Sequence, residues 1–121
     1  MRLQISRIAE RGVPNQERLH LSVLQEADLA FYTVLISRYS TSGDAVASGG
    51  VSAFWFPTRK LRPGDQIILY TGEGQATSRA EANNTTTYFF YWGLKNTVWN
   101  DPSSCAVLIE AASWVTSPQG G

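Results

Sequence analysis

The chain has one cysteine, Cys105, and one histidine, His20, among its 121 residues. A single cysteine excludes an intramolecular disulfide. With no second His or Cys to join it, neither residue belongs to a recognisable metal-ligand set, and no metal or cofactor is expected. Long hydrophobic runs are missing as well: no apolar stretch reaches the roughly 18 residues that a membrane-spanning helix needs. Nor is there an excess of charge of one sign, because Lys+Arg and Asp+Glu both number 10. That balance argues against a dedicated nucleic-acid binder, which needs a basic footprint to neutralise phosphates. No secretory signal core is visible between Met1 and Arg11, so a cytoplasmic protein is the default expectation.

What is present is apolar and aromatic. The 43% hydrophobic and 12% aromatic content fits one globular domain with a sizeable core. Arg2 to Ile8 reads as a first strand. Glu17 to Leu24 alternates, with Leu19, Leu21 and Val23 on one face and Arg18, His20 and Ser22 on the other, as in a half-buried antiparallel strand. Phe31 to Tyr39, Val51 to Phe56 and Gln66 to Thr71 read as further strands. So do Tyr88 to Trp92, Val98-Trp99, Cys105 to Glu110 and Trp114 to Thr116. Ser40 to Gly50 is rich in Ser, Gly and Ala and reads as a surface loop. Its Gly49-Gly50 lacks the lysine and helix of a phosphate cradle. Pro63-Gly64 suits the two central positions of a type II turn. Thr71 to Thr87 is the longest polar stretch, with a helical turn expected over Ala76 to Ala82. Two overlapping glycosylation sequons in Asn83-Asn84-Thr85-Thr86 are read as chance matches. Short strands, frequent turns and no long helix imply an all-β sandwich or barrel.

Candidate sites are few. No nucleophile, acid and base are grouped as catalysis requires, so no catalytic residue is assigned. Cys105 lies in an apolar run and is expected to be buried and inert. Arg59, Lys60 and Arg62 form a candidate anion-contact loop, although a solvated turn that keeps a sheet end soluble is the favoured reading. In Tyr88 to Trp92, alternation sets Phe89 and Tyr91 against Tyr88, Phe90 and Trp92, so one set faces away from the core. Phe89 and Tyr91 are the candidate partner surface, covered either by the 71–87 loop or, as favoured here, by a second chain. Residues 1–64 carry eight Arg/Lys against five Asp/Glu, and residues 65–121 carry two against five. Such opposite halves would assist a symmetric dimer. Trp99 is expected to anchor the core.

The succession Leu29-Ala30-Phe31-Tyr32-Thr33-Val34, Phe54-Trp55-Phe56-Pro57, Leu61-Arg62-Pro63-Gly64-Asp65, Tyr70-Thr71-Gly72, Trp92-Gly93, Val98-Trp99-Asn100-Asp101 and Ala106-Val107-Leu108-Ile109 resembles the lamin-tail domain over nearly the whole chain. Departures are Phe31-Tyr32 in place of Gly-Trp, Ser22-Val23 where an Asn is usual, and Ala111-Ala112-Ser113 for the closing Asp-Gly hairpin. The resemblance implies an immunoglobulin-like two-sheet β-sandwich over residues 1–116, and residues 117–121 read as a flexible tail. It implies a module without catalysis or cofactor that binds a protein partner, itself included, through a sheet face or edge. The alternative is a ligand-binding module using exposed aromatics for carbohydrate, nucleic acid or lipid.

Overall fold

A computed structural model describes residues 1–40 and 52–120. The strands are β1 (Leu3–Ala9), β2 (Arg18–Val23), β3 (Ala27–Asp28), β4 (Tyr32–Arg38) and β5 (Ala53–Trp55), then β6 (Lys60–Leu61), β7 (Gln66–Tyr70), β8 (Thr77–Ala80), β9 (Thr86–Tyr91) and β10 (Ser104–Glu110). Two short 3₁₀ turns, Leu29–Phe31 and Ala82–Asn84, are the helical pieces, and no α-helix occurs among the described residues. The protein is therefore mostly β. The expected loop from Ser40 to Gly50 lies outside the described residues apart from Ser40, as does Val51.

The strands form a five-stranded sheet of order β1-β2-β7-β9-β8, a three-stranded sheet of order β10-β4-β5, and the two-stranded ladder β3-β6. All pairings are antiparallel except β7 with β9. The parallel pair follows from the route of the chain. After β7 it runs out to the edge as β8, turns at Asn83 and Asn84, and returns inward as β9. Both asparagines have positive φ, 69° and 61°, a conformation their short polar side chains tolerate. The polar Asn-Asn-Thr run is thus a hairpin turn.

Alternation places the core. Leu19, Leu21 and Val23 of β2 are buried, as are Ile67 and Leu69 of β7, Phe90 of β9 and Val34 of β4. Phe54 of β5 lies 6.4 Å from Phe90 and 5.7 Å from Trp92, and Phe56 lies 5.3 Å from Phe90. These rings join the larger sheets across one apolar interior. Trp99 is fully buried, with its indole N–H donating to the carbonyl of Cys105 at 3.0 Å.

Three expectations need correction. Val98-Trp99 is not a strand: both backbone N–H groups donate to the Glu17 carboxylate, at 2.8 and 3.0 Å, instead of to a neighbouring strand. Trp114 to Thr116 is irregular too, and Trp114 is held by ring contacts rather than by a ladder. Residues Ala76 to Ala82 contain the strand β8 instead of a helical turn. Pairing with β9 satisfies that backbone, and such tertiary pairing outweighs the modest helix propensity of Ala, Arg and Glu.

Candidate functional site

Phe89 and Tyr91 do point away from the core, on the outer face of the five-stranded sheet. In register with them lie His20 and Ile68 in one row and Arg18 and Tyr70 in the next. Their ring faces are covered from within the chain. Tyr91 stacks on Tyr70 at 5.0 Å and 12°, and Arg18 lies over the Tyr70 ring at 5.8 Å. Tyr91 also meets Gly74, where an added Cβ would come within 2.5 Å of the ring. Arg79 of β8 covers Phe89 at 5.2 Å and is tied to Glu81 at 2.9 Å. The polar 71–87 segment thus contributes a glycine and an arginine against these rings. A cation over a ring is a weakly favourable contact that needs no apolar partner.

Arg59, Lys60 and Arg62 do not converge. Arg59 lies over the ring of Tyr88 at 5.5 Å, and Arg62 donates to the carbonyl of Asn84 at 2.6 Å. Lys60 sits in the β6 ladder opposite Asp28, so this segment is partly strand and not wholly a loop. His20 accepts from Arg18 Nε at 3.1 Å, and its partial burial, with Arg7 and Arg18 nearby, pushes its pKa below the usual range. Burial pushes the Cys105 thiol up, which disfavours the reactive thiolate. Among the described residues no group of three His, Cys, Asp or Glu side chains is placed to hold a metal ion.

A different surface is assembled by the three-stranded sheet. Asp28 caps the first 3₁₀ turn, its Oδ1 accepting from the Ala30 N–H at 2.9 Å. The turn buries Leu29 and leaves Phe31 outside. On β5, Phe54 points inward and Trp55 outward, and Trp55 anchors its indole N–H on the Ala30 carbonyl at 2.6 Å. Trp114 then closes on both, 5.0 Å from Phe31 and 5.2 Å from Trp55. All three stay well exposed: 36% for Phe31, 53% for Trp55 and 48% for Trp114. The cluster continues along the sheet, because Thr33 of β4 pairs with Trp55 on one side and with the exposed Ile109 of β10 on the other. The outward side chains of this sheet, from Ala53 and Trp55 through Thr33 and Leu35 to Val107 and Ile109, carry no charge, and the last outward pair, Ser37 and Cys105, is buried.

Beside the cluster is a cleft of about 420 Å³ lined by Arg2, Asp28, Phe31, Tyr32 and Glu110, among others. The Tyr32 hydroxyl donates to Glu110 Oε2, and Arg2 approaches the same oxygen at 3.8 Å. Burial, and then the carboxylate of Glu110, push the Tyr32 pKa up to about 12. Asp28 is held below the usual range, first by the Ala30 N–H and then by Thr58 and Arg59. The polar groups here are mutually engaged.

Sequence reasoning missed this cluster for identifiable reasons. The outward direction of Trp55 was readable from Phe54-Trp55-Phe56, where alternation makes the two phenylalanines one face. Nothing local signals that Trp114, beyond the last strand, returns to Phe31. Scans against protein-family models, curated proteins and solved structures found no match.

Proposed function

We propose that this chain is a non-catalytic interaction module of lamin-tail type, built as an immunoglobulin-like two-sheet sandwich, that binds a protein partner through the outer face of its three-stranded sheet. The fold reading rests on the aromatic contacts joining the two larger sheets and on the order of motifs. In the Leu61-to-Asp65 motif, the Asp65 N–H donates to the Arg62 carbonyl at 3.0 Å and Gly64 has φ +93°, as a type II turn requires. In Val98-Trp99-Asn100, the tryptophan is a core anchor.

The observation that carries the docking reading is the contact cluster Phe31–Trp55–Trp114, exposed at the end of a charge-free sheet face. Tryptophan and other large aromatics dominate interface hot spots, and charge is depleted at interface centres. The test is affinity capture with the wild type and with Trp55→Ser/Trp114→Ser. A partner held through this face is recovered by the wild type and lost with the double variant, while Phe89→Ser/Tyr91→Ser retains it. Equal recovery by all three baits would overturn the assignment.

The second reading, a carbohydrate-binding module, is favoured by the adjoining cleft and its hydroxyl-bonding groups. The ring angles weigh against it. Trp114 meets Phe31 at 59° and Trp55 at 80°, so the cluster is a ridge of tilted rings rather than a flat stacking platform. Retention on insoluble polysaccharide that is abolished by the same double variant would reverse this preference.

A further inference from the structure

We propose that β10 is a self-pairing edge, along which a second copy of this chain adds its own β10 antiparallel to extend the three-stranded sheet across a two-fold axis. This goes beyond the docking face. Among the described residues, β10 lies at the opposite edge of the sheet from β5, the strand that carries Trp55.

Register establishes which backbone groups are available. Tyr39 N–H donates to the Ser103 carbonyl, and Ala111 N–H to the Phe31 carbonyl, at the two ends of the β4–β10 ladder. Between them the pairing is unbroken from Ser104↔Arg38 to Glu110↔Tyr32. Hydrogen-bonded pairs alternate in an antiparallel ladder, so Cys105, Val107 and Ile109 bond to β4. The pairing of β4 with β5 agrees, because Phe56 N–H donates to the Tyr32 carbonyl and Ile36 N–H to the Ser52 carbonyl, which gives the even positions of β4 to β5. The N–H and C=O groups of Ala106, Leu108 and Glu110 therefore point outward along the edge. The Ser104 carbonyl, next in that row, is taken by Arg11 at 3.3 Å.

The other edges of the two larger sheets are blunted in ways that discourage pairing. β1 carries Arg7 and a register shift between Ile5 and Arg7. β8 is fully exposed, and its Arg79 pairs with Glu81 just past its end. β5 is only three residues long. β10 is seven residues long, reads Ser-Cys-Ala-Val-Leu-Ile-Glu, and has no lysine, proline, glycine or bulge.

Its sequence is also self-complementary. With the two-fold axis at Leu108, the outward groups of Leu108 meet those of its copy, and those of Ala106 meet those of Glu110. Val107 then faces Ile109 of the second copy on the outer side, in the closer, non-hydrogen-bonded kind of pair, where apolar side chains gain most. The only charge in the strand, Glu110, meets Ala106 and not another Glu110. A strand of unrelated sequence would share the backbone bonds but not this match.

The test is sedimentation equilibrium of the full chain from dilute to near-millimolar concentration, together with hydrogen exchange. The expected result is a reversible doubling of mass. On dimerisation the amides of Ala106, Leu108 and Glu110 become protected, whereas those of Val107 and Ile109 are protected throughout. Val107→Lys keeps every bond to β4 but sets a lysine against Ile109, and it should weaken the dimer by roughly tenfold or more. Ala106→Pro removes one outward donor, at the kind of edge position where proline is tolerated, and should do the same. Circular dichroism shows whether that variant folds, and Val107→Lys carries the test if it does not. Trp55→Ser/Trp114→Ser should leave the dimer intact. A wild type that stays monomeric throughout overturns the proposal. So does a dimer that survives Val107→Lys, or one that is lost only in the tryptophan variant.

Discussion

At the residue scale the most consequential side chain is Glu17, which is 1% exposed. Its carboxylate accepts from the Gly12, Val98 and Trp99 N–H groups and from the Thr71 hydroxyl, all between 2.8 and 3.0 Å. One acid thereby holds three separate loops and seats the Trp99 backbone. Glu17→Gln substitutes an amide donor for an oxygen that receives two of these bonds. Hydrogen bonds to a charged group contribute about 1.5–3 kcal/mol each, so the loss should be on the order of 3 kcal/mol or more, readable by urea denaturation. Tyr32 offers a pH test. Its folded pKa of about 12 lies above the ordinary tyrosine value of 10.0, so the folded state favours the neutral phenol. That contribution is complete below pH 10 and is lost as the pH rises towards 12. Spectrophotometric titration should find one tyrosine ionising last in the wild type and absent from Tyr32→Phe, and the variant should lose stability less steeply over the same alkaline window.

At the element scale, turns decide which strands meet. Gly64, at φ +93°, lets Asp65 turn inward, where Oδ2 accepts from the Arg62 N–H and Oδ1 from the Thr86 N–H, both at 2.9 Å. The same acid therefore closes the turn before β7 and fixes the start of β9. An added Cβ at Gly64 would sit 2.9 Å from Thr85 Cγ2. Gly64→Ala should cost about 1–2 kcal/mol from the left-handed backbone alone, and more if Thr85 cannot move aside. A melting temperature equal to the wild type's would show that the turn relaxes freely. The turn was legible in Pro63-Gly64. Its tie to Thr86 was not, because the two are joined only by the parallel pairing of β7 with β9.

At the scale of the whole molecule, several depressed carboxylates act as surface clasps. Asp101 is held down to about 2, first by the Ser103 N–H and then by Arg38. Glu81 is lowered by Arg79 and then by Thr87, and Asp28 by the Ala30 N–H. Each binds its proton less readily folded than unfolded, so stability is at its full value above the ordinary carboxylate range and falls on acidification. For Asp101 the loss runs from near the ordinary aspartate value of 3.8 down to about 2. Thermal melts across that acid window should show a falling midpoint, with a shallower fall in Asp101→Asn. An unchanged slope in the variant would show that the clasp between β4 and the loop before β10 contributes nothing.

Sequence alone determined the β character of this chain, the faces of β2 and β9 and the Pro63-Gly64 turn. These three are written in neighbouring residues, through alternation of period two and the positive φ open to glycine. The burial of Trp99 was expected from its bulk, but Trp55 and Trp114 are as large and stay exposed, so only the fold decides which indole is buried. Tertiary structure decided the rest. Residues 77–80 became a strand because β9 lay alongside, whatever their own helix propensity. Phe89 and Tyr91 were covered by Arg79 and Gly74, which no local pattern connects to them. Phe31, Trp55 and Trp114 lie far apart in the chain and form one surface only when the fold returns the last segment to the first 3₁₀ turn. Glu17 looks like any surface acid until loops from three parts of the chain aim their donors at it. Contacts of that kind depend on the closure of distant segments, and a one-dimensional pattern carries no record of them.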